Sequence, residues 1–241
     1  CQHECRRPAP KQAREQGFYA DAALNLARAQ QARLAARERL IRLLGLWGRQ
    51  TQFALPERLP LFPLKTVLFP GGVLPLRVFE ARYMDMITRC MRADAPFGVC
   101  LIAAGEEVGE AAVPHPVGTE ARIERWDMEQ AGVLELLVRG GRRFRVVDHE
   151  LERDGLLVAS VHWLEEPPVE PVPAAQSELL PLLRSIVDEL GDRLPPPHHF
   201  DDAAWIGARY VELLPIPLLA KQRLLELDDV LSRLEILQQF L

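Results

Sequence analysis

A proline-rich segment beyond the middle of the chain constrains the fold more than any other feature of the sequence. Residues 165–175 contain four prolines and show neither helical nor strand periodicity, which predicts a linker. Before it, residues 61–164 carry the short apolar or alternating runs typical of β-strands. After it, residues 176–241 carry leucines at helical spacing. Strands followed by helices predict an α+β protein with segregated parts.

The β-rich part is expected to contain one inserted helix. Strands are predicted at residues 61–64, 67–69, 73–78, 97–102, 117–126, 133–138, 144–151 and 156–164. Apolar side chains then recur every four residues, at Phe79, Tyr83, Ile87 and Met91. This spacing predicts a helix over residues 80–92. The Gly-Gly pair at 140–141 is expected to close a strand, and the Asp-Gly pair at 154–155 to form a hairpin.

Both ends of the chain are predicted to be helical. Residues 17–46 are rich in Ala, Leu, Arg and Gln, which favours one long helix. Towards the other end, Asp201 or Asp202 is a candidate helix cap, and so is Asp228 or Asp229. The resulting domains are a helical extension (1–60), a β-rich subdomain (61–164), a linker (165–175) and a helical subdomain (176–241).

A search for catalytic motifs excludes several classes of enzyme. No G-x-x-x-x-G-K-[ST] loop is present, and Lys65-Thr66 lacks a preceding glycine loop, so nucleotide hydrolysis by that route is excluded. G-x-S-x-G and H-E-x-x-H are also absent. We therefore predict no catalytic residues.

The histidines leave a metal site as an alternative. His149 and His162 flank the predicted hairpin turn and could lie roughly opposite each other, although two ligands are half of a usual zinc shell. His198-His199 could bind a metal or lie in an exposed polar loop. Cys1-x-His3-x-Cys5 also has two interpretations, which are a partial metal site and a frayed terminus. We favour the structural interpretation throughout and predict neither a metal nor a cofactor.

Apolar side chains around the first strand-to-helix transition are better candidates for a function. The candidate peptide-binding residues are Phe62, Phe69, Phe79, Tyr83, Met84 and Met86. Methionines and aromatic residues can form adaptable peptide-binding grooves. The alternative, which helical spacing favours, is that these residues form an ordinary core.

The charge distribution bears on possible partners. Residues 1–60 hold 11 basic and 5 acidic residues, whereas residues 61–241 hold 18 basic and 29 acidic ones. An acidic main body is a poor binder of nucleic acids, because phosphate binding needs a basic face. No run of about 18 apolar residues occurs, so no membrane-spanning helix is expected.

Several motifs at the start of the β-rich part resemble those of a known family. LFPL (61–64), LFPG (68–71), LPL (74–76) and FEARY (79–83) look like the amino-terminal substrate-binding domain of the Lon proteases. FGV (97–99) and KQRLLE (221–226) continue the resemblance more loosely, to about residue 241. It implies a partly open, β-barrel-like (PUA-like) sheet followed by a helical bundle, and it implies no catalytic residues.

The first sixty residues resemble a different family. EQGFYA (15–20), LARAQ (26–30), ARERL (36–40) and RLLGLW (42–47) look like a coiled-coil helix of TolC-type outer-membrane efflux proteins, and LPERLP (55–60) fits the segment after that helix. The two resemblances imply different compartments, the periplasm for this segment and the cytoplasm for the rest. We therefore interpret residues 1–60 as a fused fragment.

The sequence predicts a non-enzymatic, cytoplasmic binding protein of a bacterial, proteolysis-related type. Its expected partner is an unfolded or apolar polypeptide segment or another protein, with neither nucleic acid nor membrane, and a homo-oligomer is possible. Two alternatives stay open. The first is a hydrolase with a metal site built from His149, His162 or His198-His199, and the second is a structural adaptor.

Overall fold

Six strands form the first part of the structure. The computed structural model describes residues 57–239, which belong to one compact unit, Leu55–Leu241. The strands are β1 (Glu57–Leu64), β2 (Val73–Val78), β3 (Phe97–Ala104), β4 (Val113–Gln130), β5 (Val133–Leu151) and β6 (Leu157–Trp163). They form one sheet in the order β2-β5-β4-β3-β1-β6. The β1–β3 pair is parallel and the other pairs are antiparallel.

The length of β5 curls this sheet into a partly closed ring. Its first half pairs with β2 and β4, and its second half pairs with β6, as in Leu151 opposite Leu157. Since β6 also pairs with β1, the sheet returns on itself without forming a complete barrel. Among the described strands, β2 has a partner on one side alone and is the free edge.

Within residues 57–239, five helices accompany the sheet and confirm the predicted α+β class. They are α1 (Ala81–Ala93), α2 (Leu179–Leu190), α3 (Ala203–Leu213), α4 (Leu218–Glu226) and α5 (Val230–Gln238). Asp202 accepts a hydrogen bond from the Ala204 amide and caps α3, and Asp229 accepts one from the Ser232 amide and caps α5. Each cap satisfies an amide that the first turn of a helix leaves unpaired.

Buried apolar side chains form three separate clusters among the described residues. One cluster joins α1 to the sheet and includes Met86, Ile87 and Val138. A larger one fills the helical bundle and reaches Phe69 in the β1–β2 loop. Among the described residues, no helix has both the length and the apolarity that a membrane span requires.

Two sequence predictions about strands are wrong. Residues 67–69 form no strand and belong to the β1–β2 loop. The Gly-Gly pair at 140–141 does not end a strand, because β5 runs through it without a break. Gly140 allows β5 to approach the backbone of the β1–β2 loop closely, because a Cβ atom on it would lie 2.1 Å from the carbonyl oxygen of Phe69. The predicted hairpin at 154–155 is confirmed between β5 and β6.

The helix predicted over residues 17–46 and the Cys1-x-His3-x-Cys5 motif lie outside the described residues. The segment over 165–175 has no strand, and a short 3-10 turn, Ala174–Gln176, ends it. The Glu170 carbonyl in this segment accepts a hydrogen bond from the Ala203 amide at the start of α3. Part of the proline-rich segment is therefore tied to the helical bundle.

Candidate functional site

Most of the apolar residues predicted to bind a peptide lie in the core. The buried ones are Phe62, Phe69, Tyr83 and Met86. The rings of Phe62 and Tyr83 stack with centroids 4.1 Å apart between β1 and α1. Met84 is half-buried, and Phe79 is the exposed member of the six, at 56%. Direct contact with a peptide stays a prediction, which burial restricts to Phe79 and Met84.

The surface around Phe79 is small. Phe79 and Val108 are both exposed and line one cavity of about 60 Å³ beside Tyr83. Pockets that bind organic ligands usually hold ~300–1,000 Å³. This cavity can therefore take part of one side chain of a partner.

The histidines singled out in the sequence do not come together. The register places His149 opposite Ala159 and His162 opposite Arg145, so the expected juxtaposition is wrong. A register shift between Val146 and Asp148 displaces the two strands from a symmetric hairpin. Within residues 57–239, no three His, Cys, Asp or Glu side chains are grouped so that they could hold a metal ion.

The His198-His199 pair belongs to an aromatic cluster. The two imidazole rings lie 6.0 and 6.2 Å from the ring of Trp205 on α3. One ring nitrogen of His198 lies 2.9 Å from the Leu194 carbonyl oxygen. The pair thus packs against the start of α3.

A much larger groove separates the free edge of the sheet from the helical bundle. Its volume is about 480 Å³, within the range of ligand-binding pockets. We call it the β2–helix groove. It is lined by Thr66, Val67, Leu68, Val73, Leu74, Pro75, Leu137, Leu190, Arg193, Leu194, Arg209, Glu212, Leu213, Leu218 and Lys221.

The rim of the β2–helix groove exposes apolar side chains. Leu213 at the end of α3 is 38% exposed and Leu218 at the start of α4 is 42% exposed. Leu219, beside Leu218, is still more exposed. Leu213 continues the helical spacing of Trp205, Ile206 and Tyr210, which are buried. The break between α3 and α4 turns these leucines to the surface instead.

An ion pair between a buried guanidinium and a partly buried carboxylate forms the polar side of the groove. Arg209 and Glu212 lie one turn apart on α3, with guanidinium and carboxylate atoms 3.1 Å apart. Burial lowers the pKa of Arg209, and the Glu212 charge opposes this effect. Burial likewise raises the pKa of Glu212, against the influence of Arg209. Each charge therefore depends on the other for compensation in a poorly solvated place.

This ion pair also holds the β1–β2 loop against the helices. Glu212 accepts a hydrogen bond from the Phe69 amide at 3.2 Å, and Arg209 donates one to the Pro70 carbonyl at 2.9 Å. Gly71 follows with a φ of +72°, a conformation that glycine adopts without strain. These contacts hold the LFPG motif in place, and its Leu68 lines the groove together with Thr66 and Val67.

Lys221 and Arg193 supply further positive charge. The Lys221 ammonium donates a hydrogen bond to the backbone carbonyl of Glu212 at 2.9 Å. Burial lowers its pKa, with the Glu212 charge acting in the opposite sense. Arg193 is exposed, and none of the ion pairs among the described residues includes it. The groove therefore combines apolar walls with cations.

A second, shallower groove adjoins the first. Its volume is about 460 Å³, and it shares Pro75 and Leu137 with the β2–helix groove. Trp126, 58% exposed on β4, lines it. The two grooves thus form adjacent depressions beside the free edge strand β2.

Comparison with known proteins identifies the family. The family model of the ATP-dependent protease La (LON) substrate-binding domain matches residues 58–241. This chain belongs to that family. A Lon protease 2 from Myxococcus xanthus is 30% identical over 202 residues, which span 78% of this chain and 24% of that protein.

Solved structures agree with the assignment to the Lon substrate-binding domain family. A Lon N-terminal domain protein from Xanthomonas campestris is 39% identical, with a TM-score of 0.65, and the match covers 77% of this chain and 99% of that one. The N-terminal domain of a Mycobacterium avium complex Lon protease shares the fold at 18% identity, with a TM-score of 0.57, over 76% of this chain and 97% of that one.

The Lon resemblance seen in the sequence is confirmed, and its limits are clear. This chain spans about a quarter of the length of the curated Lon protease from Myxococcus. The family match starts at residue 58 and gives no support to the TolC resemblance of residues 15–60. That resemblance stays a prediction, and residues 1–56 lie outside the described part of the chain.

Proposed function

We propose that the protein binds unfolded or apolar polypeptide segments, that it does so through the β2–helix groove, and that this region carries out no catalysis. The single observation behind the proposal is an apolar groove of about 480 Å³ in a Lon substrate-binding domain. The proposed setting is the bacterial cytoplasm, where Lon-type proteolysis would meet unfolded chains. A protein partner of the same apolar character would use the same surface.

The shape of the groove supports a polypeptide as the ligand. One wall is the free edge strand β2, whose outer backbone groups are available to an extended segment. Pro75, in the middle of β2, has no amide hydrogen and limits such pairing, as prolines on edge strands commonly do. Side-chain burial against Leu213 and Leu218 would therefore supply most of the affinity.

The side chains that line the groove support binding without catalysis. They include no His, Ser or Cys, and Thr66 supplies their one hydroxyl group. Glu212 is engaged by Arg209 and by the Phe69 amide, so it is not free to act as a general base. Lys221, the amine of this lining, donates a hydrogen bond to the backbone carbonyl of Glu212, and its role there is structural.

The exposed pair Phe79 and Val108 is a second proposed contact surface. Phe79 is the exposed residue of the predicted peptide-binding set, and the half-buried Met84 of the same set follows it closely in sequence, on α1. Its cavity is roughly an eighth of the volume of the β2–helix groove, so we propose it as an auxiliary contact.

Binding of one labelled polypeptide in two states tests the proposal. Fluorescence anisotropy would measure the affinity of the full chain for a permanently unfolded polypeptide and for its folded form. We expect binding of the unfolded form alone. Equal affinity for both forms, or no binding of either, would contradict the proposed function.

Variants then locate the binding surface. A half-exposed leucine can contribute about 1 kcal/mol on burial, so Leu213→Gln with Leu218→Gln should weaken binding about tenfold or more. Leu182→Gln is the matched control, because Leu182 is a similarly exposed helical leucine outside the groove. Phe79→Gln should have a smaller effect. A loss of binding in Phe79→Gln with none in the leucine pair would move the site to α1.

A further inference from the structure

The charges that line the β2–helix groove are unbalanced. Three cations, Arg193, Arg209 and Lys221, face one carboxylate, that of Glu212. The adjoining groove differs, because its lining holds Arg77 and Arg125 against two acidic residues. An excess of positive charge is therefore a property of the first groove and not of both.

This positive charge also contrasts with the rest of the domain. Residues 61–241 hold 18 basic and 29 acidic residues, so the domain as a whole is strongly acidic. A cationic groove within it cannot be explained by a generally basic surface. Local positive potential in a cleft with apolar walls is focused and raises the affinity for groups of opposite charge.

Several hydrogen-bond donors of these cationic side chains have no acceptor among the described residues. The Arg209 side chain is only 1% exposed, and its Nε and Nη1 atoms make no hydrogen bond. The Lys221 ammonium has three protons and donates to one backbone carbonyl. The remaining protons of Lys221 are therefore available to an acceptor in the groove, as are the donors of Arg193, which forms no ion pair among the described residues.

We infer that the β2–helix groove binds apolar polypeptide segments that carry an acidic side chain, whose carboxylate pairs with Lys221 and Arg193 while the flanking residues pack on Leu213 and Leu218. The inference rests on the proposed function and specifies its substrate class. It deepens that function, because apolar contact alone would accept segments of any charge. The groove thereby distinguishes between segments of equal hydrophobicity.

Four short apolar peptides test the inference against the full chain by fluorescence anisotropy. All have the same leucine-rich sequence, and three are blocked at both ends, with Glu, Gln or Lys at one central position. The fourth has the central Gln and a free C-terminal carboxylate. We expect the Glu peptide to bind about tenfold more tightly than the Gln peptide, a difference of ~1.4 kcal/mol. The Lys peptide should bind most weakly.

Charge variants assign this preference to the groove. In the double variant Lys221→Gln and Arg193→Gln, the Glu peptide should bind no better than the Gln peptide, whose own affinity should change less than about twofold. Arg223→Gln is the matched control, because Arg223 is exposed on the same helix as Lys221 and does not line the groove. Should Lys221→Gln fail to fold, the exposed Arg193→Gln alone should still reduce the preference.

Each contrary outcome has a separate meaning. Equal binding of the Glu and Gln peptides overturns the inference and leaves the proposed function standing. Absence of binding by all four peptides overturns both. If the peptide with the free terminus matches the Glu peptide, the groove binds a carboxylate from either a side chain or a chain end, and its restriction to acidic side chains is wrong. If the preference persists in the double variant, the carboxylate is bound elsewhere and the inference is also wrong.

Discussion

Gly140 in the middle of β5 allows the closest backbone approach between the sheet and the loop that forms the groove wall. A Cβ atom there would lie 2.1 Å from the Phe69 carbonyl oxygen and 3.0 Å from its carbon. Both atoms belong to the backbone, so no side-chain rotation can remove the clash. Gly140→Ala must therefore displace the β1–β2 loop.

The cost of that displacement follows from the contacts it disturbs. Gly140 accepts a hydrogen bond from Gly71 and donates one to Gly72, both at 2.8 Å, and the Phe69 carbonyl accepts one from Gly72 at 3.0 Å. Overpacking costs ~1–3 kcal/mol, and weakening such hydrogen bonds adds about 1 kcal/mol. The loss of unfolded-state entropy returns ~0.4–1 kcal/mol. We expect a net destabilisation of about 2–3 kcal/mol.

Urea unfolding followed by circular dichroism measures this difference. A loss of that size should lower the Tm by about 5–10 °C in a protein of this length. Gly141→Ala is the control, since the nearest atoms to a Cβ atom there belong to the Glu120 side chain, at 3.1 Å, and not to the backbone. We expect the control to lose less than about 1 kcal/mol. Equal stability of the two variants would refute the role assigned to Gly140.

Three further predictions concern stability and reactivity. Glu212→Gln should cost about 1–3 kcal/mol in urea unfolding, because it leaves Arg209 without its carboxylate, and an unchanged midpoint would contradict the buried pair. Burial raises the thiol pKa of Cys90 and Cys100, so peptide mapping after alkylation should find both unmodified in the native protein, and rapid labelling would show that the core opens. Deletion of residues 1–55 should shift the Tm by only a few degrees, and loss of cooperative unfolding would show that this segment belongs to the core.

Short patterns in the sequence predicted the elements whose structure depends on residues close together in the chain, namely a helix, a hairpin turn and two helix caps. The helix expected over residues 80–92 is α1, Ala81–Ala93, because its apolar residues recur with helical period. The hairpin at 154–155 followed from an Asp-Gly pair between two strands. The preference for short acceptor side chains narrowed the helix caps to Asp201 or Asp202 and to Asp228 or Asp229, and the structure has Asp202 and Asp229. These features depend on residues close together in the chain.

Long-range contacts explain where the sequence prediction was wrong or silent. The sequence predicted that Gly140 and Gly141 close a strand, whereas the role of Gly140 depends on Phe69, some seventy residues earlier. Arg209 would ordinarily be assigned to the surface, and its burial depends on Glu212 and on the distant Pro70 carbonyl. The lining of the β2–helix groove comes from the loop before β2, from two strands, from three helices and from the segment that follows α2. Hydrophobic periodicity carries no information about contacts between residues that are distant in the sequence.

Site-specific photo-crosslinking tests polypeptide binding in the β2–helix groove most directly. A photoreactive amino acid would replace Leu218 in the groove or Leu182 outside it, and each full chain would be irradiated with a labelled unfolded polypeptide. We expect efficient crosslinking from position 218, little from position 182, and competition by the unlabelled unfolded polypeptide but not by its folded form. Equal crosslinking from both positions, or none from position 218 while the polypeptide binds, would contradict binding in this groove.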